Sequence, residues 1–258
     1  MARSWFVVSL ILLFVSVISA QNPPQSDPQA LSFVSQSLVA LTAGTTISDV
    51  TLSGTGVWTV ATNSETANAT LMAKGVSESR FDMALSAGIR SEIRNDNSTS
   101  AQGEVLASDG SIFQWGTQNC MVNAAWFFPQ LSILSETANS ALIFSYVGQE
   151  SHNGQAVQHI QSYLYSSANP APVQQWSTMD IYLDSVSLLP SAFVFNTYSP
   201  DGSQTVPVEI DFLSYQTVSG VQVPSRIQRY VAGNIGLDFS VTGVQLNSGL
   251  QDSLFAIQ

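Results

Sequence analysis

Two histidines, one cysteine and a pair of aspartates are the side chains whose type and spacing invite a chemical reading. His152 sits in a His-Asn-Gly turn, and His159 follows on a strand alternating with Val157 and Tyr163. Imidazoles seven residues apart across a turn can approach each other, and imidazole suits zinc-class metals. No carboxylate cluster in the neighbouring sequence completes a ligand set, so no metal is expected. Asp180 and Asp184 share a strand face with Tyr182, where a solvated outer surface explains them more simply than a catalytic pair. Cys120 is the single cysteine. It cannot form an intramolecular disulfide, has no histidine near it in sequence to activate it, and reads as a small buried apolar residue. The chain has no Gly-x-Ser-x-Gly elbow, His-Glu-x-x-His pair, phosphate loop or Cys-x-x-Cys. No catalytic residue and no cofactor is expected. The sequence points away from an enzyme, leaving a hydrolase with an unfamiliar site as the last-ranked reading.

Charge narrows the partners. Seven Lys plus Arg against eighteen Asp plus Glu give −11, and Lys74 is the only lysine. Nucleic acid and anionic head groups are bound by clustered Lys and Arg, so neither is an expected partner. The scattered acids read as a solvated exterior. Sequons at Asn68 and Asn97 matter only in a host that glycosylates secreted proteins.

The N-terminus supplies an address. Arg3 precedes an apolar run from Trp5 to Ile18, and Ser19-Ala20 offers a small-residue cleavage site before Gln21-Asn-Pro-Pro24. This is the layout of a secretory signal peptide over residues 1–20, too short to span a bilayer comfortably. With no cysteine after the cut, the expected product is periplasmic or secreted, carries no lipid anchor, and is not an integral membrane protein once processed. Residues 21–29 read as a Pro-rich linker and 30–258 as one domain. That length buries enough surface to need no disulfide staples.

Within that domain the pattern is mainly β. Leu31, Val34, Leu38 and Leu41 recur at helical spacing with Phe33 alongside, started by Asp27-Pro28 and stopped at Gly44. The period then becomes two. Leu52 to Val60, Asn68 to Lys74, Phe81 to Ala87, Ile89 to Arg94, Gly103 to Ala107 and Ile112 to Trp115 read as successive short antiparallel strands. Among their turns are 95–100 and Asp109-Gly110. Gln118 to Leu134, containing Ala-Ala-Trp-Phe-Phe-Pro129, is apolar without alternation and reads as a helix or irregular segment broken at Pro129. Ala141 to Gly148 and Gln155 to Tyr165 resume the strands, and Ser166 to Gln174 is expected to be a loop.

A last meander runs Met179 to Leu183, Ala192 to Tyr198, Val206 to Tyr215, Val221 to Val231 and Ile235 to Leu246, with turns at 200–202, 219–220 and 233–234. At Gly243 the apolar face slips by one residue, from Leu237, Phe239 and Val241 to Val244 and Leu246. Such a slip signals a bulge, and bulges curve sheets. The expected fold is α+β: one strongly curved antiparallel sheet, an incomplete barrel, around one or two helices.

The starting helix, the curved meander, the mid-chain interruption, the Gly220-Val-Gln-Val-Pro224 turn and the closing Val244-Gln-Leu-Asn-Ser-Gly-Leu-Gln-Asp-Ser-Leu-Phe255 resemble the bacterial periplasmic lipoprotein-carrier family (LolA/LolB-like). The resemblance is tightest over residues 179–255, where an Asn and a final Phe recur. It implies a half barrel whose apolar cavity receives acyl chains.

Trp58, Phe81, Met83, Leu85, Phe113, Trp115, Phe193, Phe195 and Phe239 are the candidate cavity lining. They either line a lipid cavity or pack helices against the sheet. Two non-enzymatic functions follow. The first is a binding or carrier protein for an acyl chain, lipopeptide or other apolar ligand. The second is an envelope module that binds a protein partner and has a filled core.

Overall fold

The computed structural model describes residues 23–96, 102–122, 124–199 and 201–258. The expected signal peptide (residues 1–20), the Asn97 sequon, most of the 95–100 turn and Pro200 lie outside them.

Pro28–Thr42 forms helix α1. Asp27 caps it by accepting from Gln29 N at 2.7 Å, and Ala43 ends it in the left-handed conformation. Ala30, Val34 and Leu41 are fully buried, so the helix is held by packing on one face rather than by propensity. Just before it, Asp27 N donates to Phe144 O at 2.7 Å, and Ser26 Oγ accepts from Phe144 N at 3.1 Å.

The strands are β1 (Asp49–Val60), β2 (Asn63–Lys74), β3 (Glu78–Leu85), β4 (Gly88–Asn95), β5 (Gln102–Leu106), β6 (Ile112–Gln114), β7 (Leu142–His152), β8 (Gln155–Leu164), β9 (Met179–Asp184), β10 (Pro190–Tyr198), β11 (Thr205–Val218), β12 (Val221–Val231) and β13 (Asn234–Leu246). Among the described residues these thirteen form one sheet in the order 6-5-4-3-2-1-13-12-11-10-9-8-7. Every described pairing is antiparallel. Two meanders are thus joined where β1 meets β13, and no described pairing links β6 to β7. This is the expected open half barrel.

The expected bulge is present. Ser53 pairs with Gly243 but Gly54 pairs with Val241, which leaves Thr242 as the extra residue. A Cβ at Gly54 would run into the Ser240 carbonyl, so close strand approach fixes glycine there.

Two sequence expectations need correction. Ser166 to Gln174 is not wholly loop, because Pro170–Ser177 forms helix α2 with Pro170 at its first position and Ser177 Oγ bonded to Val173 O. The β1–β2 connection is also tighter than expected, since β2 already begins at Asn63. The mid-chain segment is irregular, built from short 3-10 turns at Thr117–Asn119, Pro129–Leu131 and Ile133–Glu136.

Register places the core. Opposite partners on one face run Trp58–Leu237–Arg229–Ile210–Phe193–Ile181–Ile160–Tyr146 across eight strands. This is the inner face, and α1 and the mid-chain segment fill much of it. Trp126, Phe127, Phe128, Leu131 and Leu134 are buried there with Val34, Phe81, Phe193 and Phe239. The closing tail clamps back over the chain. Asn247 accepts from Ser48 N at 2.7 Å and donates to Thr46 O at 2.9 Å, while Phe255 is fully buried.

Candidate functional site

One end of the inner face is not filled. A cavity of about 260 Å³ opens between Trp58 of β1, Arg90, Glu92 and Arg94 of β4, Trp115, Trp126, Phe195 of β10 and Arg229 of β12. Its polar floor follows from strand register. Arg90, Glu92 and Arg94 alternate on one strand and so share a face. Arg229 enters from β12, brought opposite by the curvature of the sheet.

Glu92 is the hub. Arg229 donates to both its oxygens, at 2.7 and 3.0 Å, and Arg90 donates at 2.8 Å. These side chains are well covered, Glu92 being only 6% exposed. Burial pushes the Glu92 carboxyl up, but the Arg229 and Arg90 guanidinium groups outweigh it and hold the pKa at about 2. The guanidinium groups lie over the aromatic lining. Arg90 sits 4.5 Å from the Trp58 ring centre, Arg229 4.9 Å from Trp126 and Arg94 5.7 Å from Trp115. The Nε atoms of Arg90, Arg94 and Arg229 are buried without a hydrogen-bond partner among the described residues. Two guanidiniums, of Arg90 and Arg229, hold the hub carboxylate, and Arg94 stands beside them. Three arginines against Glu92 and Asp96 leave the floor of the cavity with a surplus of positive charge and N–H donors although the chain is acidic. Arg94 also pairs with Asp96 at its edge, at 3.1 Å.

The mid-chain segment bridges the two walls. Arg94 Nη2 donates to Cys120 O at 2.7 Å and Val122 O at 2.6 Å. On the opposite wall Asn119 exchanges bonds with Tyr198, donating to O at 2.8 Å and accepting from N at 2.7 Å. Cys120 is buried beside Arg94, and burial pushes its thiol pKa up. It therefore has the environment of a packing residue, not of an activated nucleophile.

Of the nine candidate lining residues, Trp58, Trp115 and Phe195 meet around this cavity. Phe81, Met83, Phe193 and Phe239 lie a layer deeper, buried in the core, and Leu85 packs at its margin. Phe113 shares the inner-face row Phe81–Glu92–Val105–Phe113, but on strand β6 it is 58% exposed. Sequence reasoning missed Arg90, Glu92, Arg94, Trp126 and Arg229 as lining. The period of two in Arg90-x-Glu92-x-Arg94 puts three charges on one face, but Ile89 and Ile93 are the apolar residues of that strand and mark the other face. Only the pairing of Arg90 with Met83 and Glu92 with Phe81 turns the charges inward.

An open antiparallel half barrel around a helix is the fold this chain shares with solved LolA-like structures. The chain aligns over 88% of its length with 96% of a Vibrio parahaemolyticus structure described as an outer membrane lipoprotein-sorting protein domain, at TM-score 0.58 and 10% identity. A LolA superfamily protein of Nitrosomonas europaea gives TM-score 0.52 at 11% identity, over 88% of this chain and 97% of that one. A DUF1329 family protein of Desulfovibrio piger gives 0.58 at 9% identity, over 90% and 98%. At these identities the likeness is one of fold. No protein-family model matches the sequence, and a search of curated proteins finds no relative.

Proposed function

We propose that this chain is an exported, non-enzymatic binding or carrier protein, released after removal of residues 1–20, that holds one acyl chain or similar apolar ligand in the half barrel. The observation that carries the reading is the cavity between Trp58, Trp115 and Trp126. Ligand sites are concave and mostly apolar, with a few convergent polar groups that fix orientation. Here those groups are guanidiniums, which favour a ligand with an acidic end, such as a carboxylate or phosphate head. At about 260 Å³ the cavity lies just below the usual ~300–1,000 Å³ range, which suits one slender chain better than a multiply acylated anchor. Carriage within the cell envelope fits the lipoprotein-sorting fold.

Native mass spectrometry of protein taken from its own envelope should show a bound amphiphile, and a fluorescent fatty acid should be taken up by the emptied protein. Trp115→Ala, which opens a half-buried wall, should weaken that uptake. An apo mass together with no fatty-acid uptake would exclude the reading.

The extent to which α1 and the mid-chain segment fill the concavity favours a second reading. In it the half barrel is an envelope interaction module whose partner is a protein, and a specific protein should co-purify with the lipid-free chain.

A further inference from the structure

The outer face of the sheet carries a second constellation, remote from the cavity and independent of the carrier reading. Opposite partners there run Asp211–Ala192–Tyr182–His159–Gly148 across β11 to β7. Ala192 and Gly148 leave this row low, and the β7–β8 hairpin tip lies over it. His152, at that tip, stacks flat on Tyr182 with ring centres 3.8 Å apart and planes 7° apart. The stack aims its Nε2 across to β11, 2.8 Å from Glu209 Oε1.

Beside that contact stands Asp211, two residues from Glu209 and on the same strand face. It is 8% exposed, and its Oδ1 has no hydrogen-bond partner among the described residues. One ligand atom each from His152, Glu209 and Asp211 lies within 4.8 Å of the others. Two carboxylates held this close repel unless a shared proton, a charged imidazole or a cation relieves them. Asn153 Nδ2, at 3.0 Å from Glu209 Oε1, is neutral.

We propose that His152, Glu209 and Asp211 form a binding site for a divalent transition cation of the zinc class. One neutral imidazole and two carboxylates match the charge of a divalent ion, and a nitrogen ligand disfavours calcium and magnesium. Three protein ligands leave a coordination position open to water. A cleft of about 250 Å³ lined by His152, Asp184, Ser187 and Asp211 gives the ion a way in. His159 is not a ligand, because carboxylates already face both its nitrogens: Asp180 at 2.9 Å and Glu150 at 3.1 Å. The bound ion pins the hairpin tip to β11.

The test is calorimetric titration of the untagged full chain with Zn2+ alone, with Mg2+ as control, beside melting curves in Zn2+ and in EDTA. One Zn2+ should bind per chain and raise the melting temperature. His152→Ala and Asp211→Asn should each weaken binding by about tenfold or more, while His159→Gln leaves it unchanged. In EDTA, Asp211→Asn should melt no lower than the parent chain, because it removes one of two facing charges. That comparison separates a lost ligand from a lost fold. The proposal is overturned by an absence of saturable Zn2+ binding, by binding that survives both ligand variants, by binding lost in His159→Gln, or by an Asp211→Asn chain that melts lower in EDTA.

Discussion

Replacing Glu92 by glutamine keeps the side chain's volume but removes the negative charge between Arg90 and Arg229. The Glu92 carboxyl is held at about 2 in the folded chain against an ordinary 4.5. At ~1.4 kcal/mol per pH unit, ionised Glu92 contributes about 3 kcal/mol to stability. Because the folded value is the depressed one, that contribution is complete above 4.5 and is lost as pH falls through about 2. The amide adds a smaller, pH-independent cost by turning an N–H toward guanidinium donors. Urea unfolding followed by tryptophan fluorescence should therefore place Glu92→Gln below the parent chain by about 3–5 kcal/mol at pH 7, as expected when one partner of a buried ion pair is lost. The gap should be nearly the same at pH 5 and smaller by roughly 2 kcal/mol at pH 3, where the parent's own advantage has shrunk. A gap under about 1 kcal/mol at pH 7, or one of constant size from pH 5 to 3, would refute the hub assignment.

Two further perturbations probe the frame. Gly54→Ala drives a methyl group into the Ser240 carbonyl and should cost about 2 kcal/mol or more in denaturant unfolding; a neutral result would mean that the β1–β13 bulge is pliable. Asp49 accepts from Ser248 N at 2.7 Å and Gly249 N at 3.1 Å. Burial raises its pKa, but these bonds and the Ser248 hydroxyl lower it further, so the net shift is below 3.8. Its stabilisation is present above that value and is lost as pH falls below it. Asp49→Asn should cost about 1–3 kcal/mol at pH 7 and leave hydrogen exchange of the 247–255 tail faster; unchanged tail exchange would exclude the clip.

The sheet was legible because its strands alternate and its turns carry glycine or asparagine. The Gly243 slip even located the bulge, since a one-residue shift in apolar phase has few other causes. Helix α1 was legible from Asp27-Pro28 and its Leu and Val spacing. Helix α2 was not, because Pro170 and Pro172 mask eight residues that make little apolar contact and depend on Ser177 for their ending. The cavity was half visible. Aromatic alternation found Trp58, Trp115 and Phe195, but it could not separate a lining residue from the Phe193 layer beneath, as both share one strand face. Arg229 meets Glu92 across 137 residues of sequence, a meeting that only the curvature of the whole sheet brings about. The outer His152–Glu209 contact was hidden for a related reason, because it depends on a hairpin tip crossing strands to which it is not paired.

The bonds from Ser26 and Asp27 to Phe144 bear on solubility. An open sheet ends in strands with unpaired backbone, and a long apolar edge invites another chain to pair with it. On one side β6 is only three residues long. On the other, the buried end of β7 is occupied by the stretch that leads into α1, and the outer end of β7 carries Glu150 and other polar residues. The residues leading into α1 thus act as a stub that covers part of the β7 edge, so a chain shortened past Ser26 and Asp27 would present more unpaired backbone to another chain.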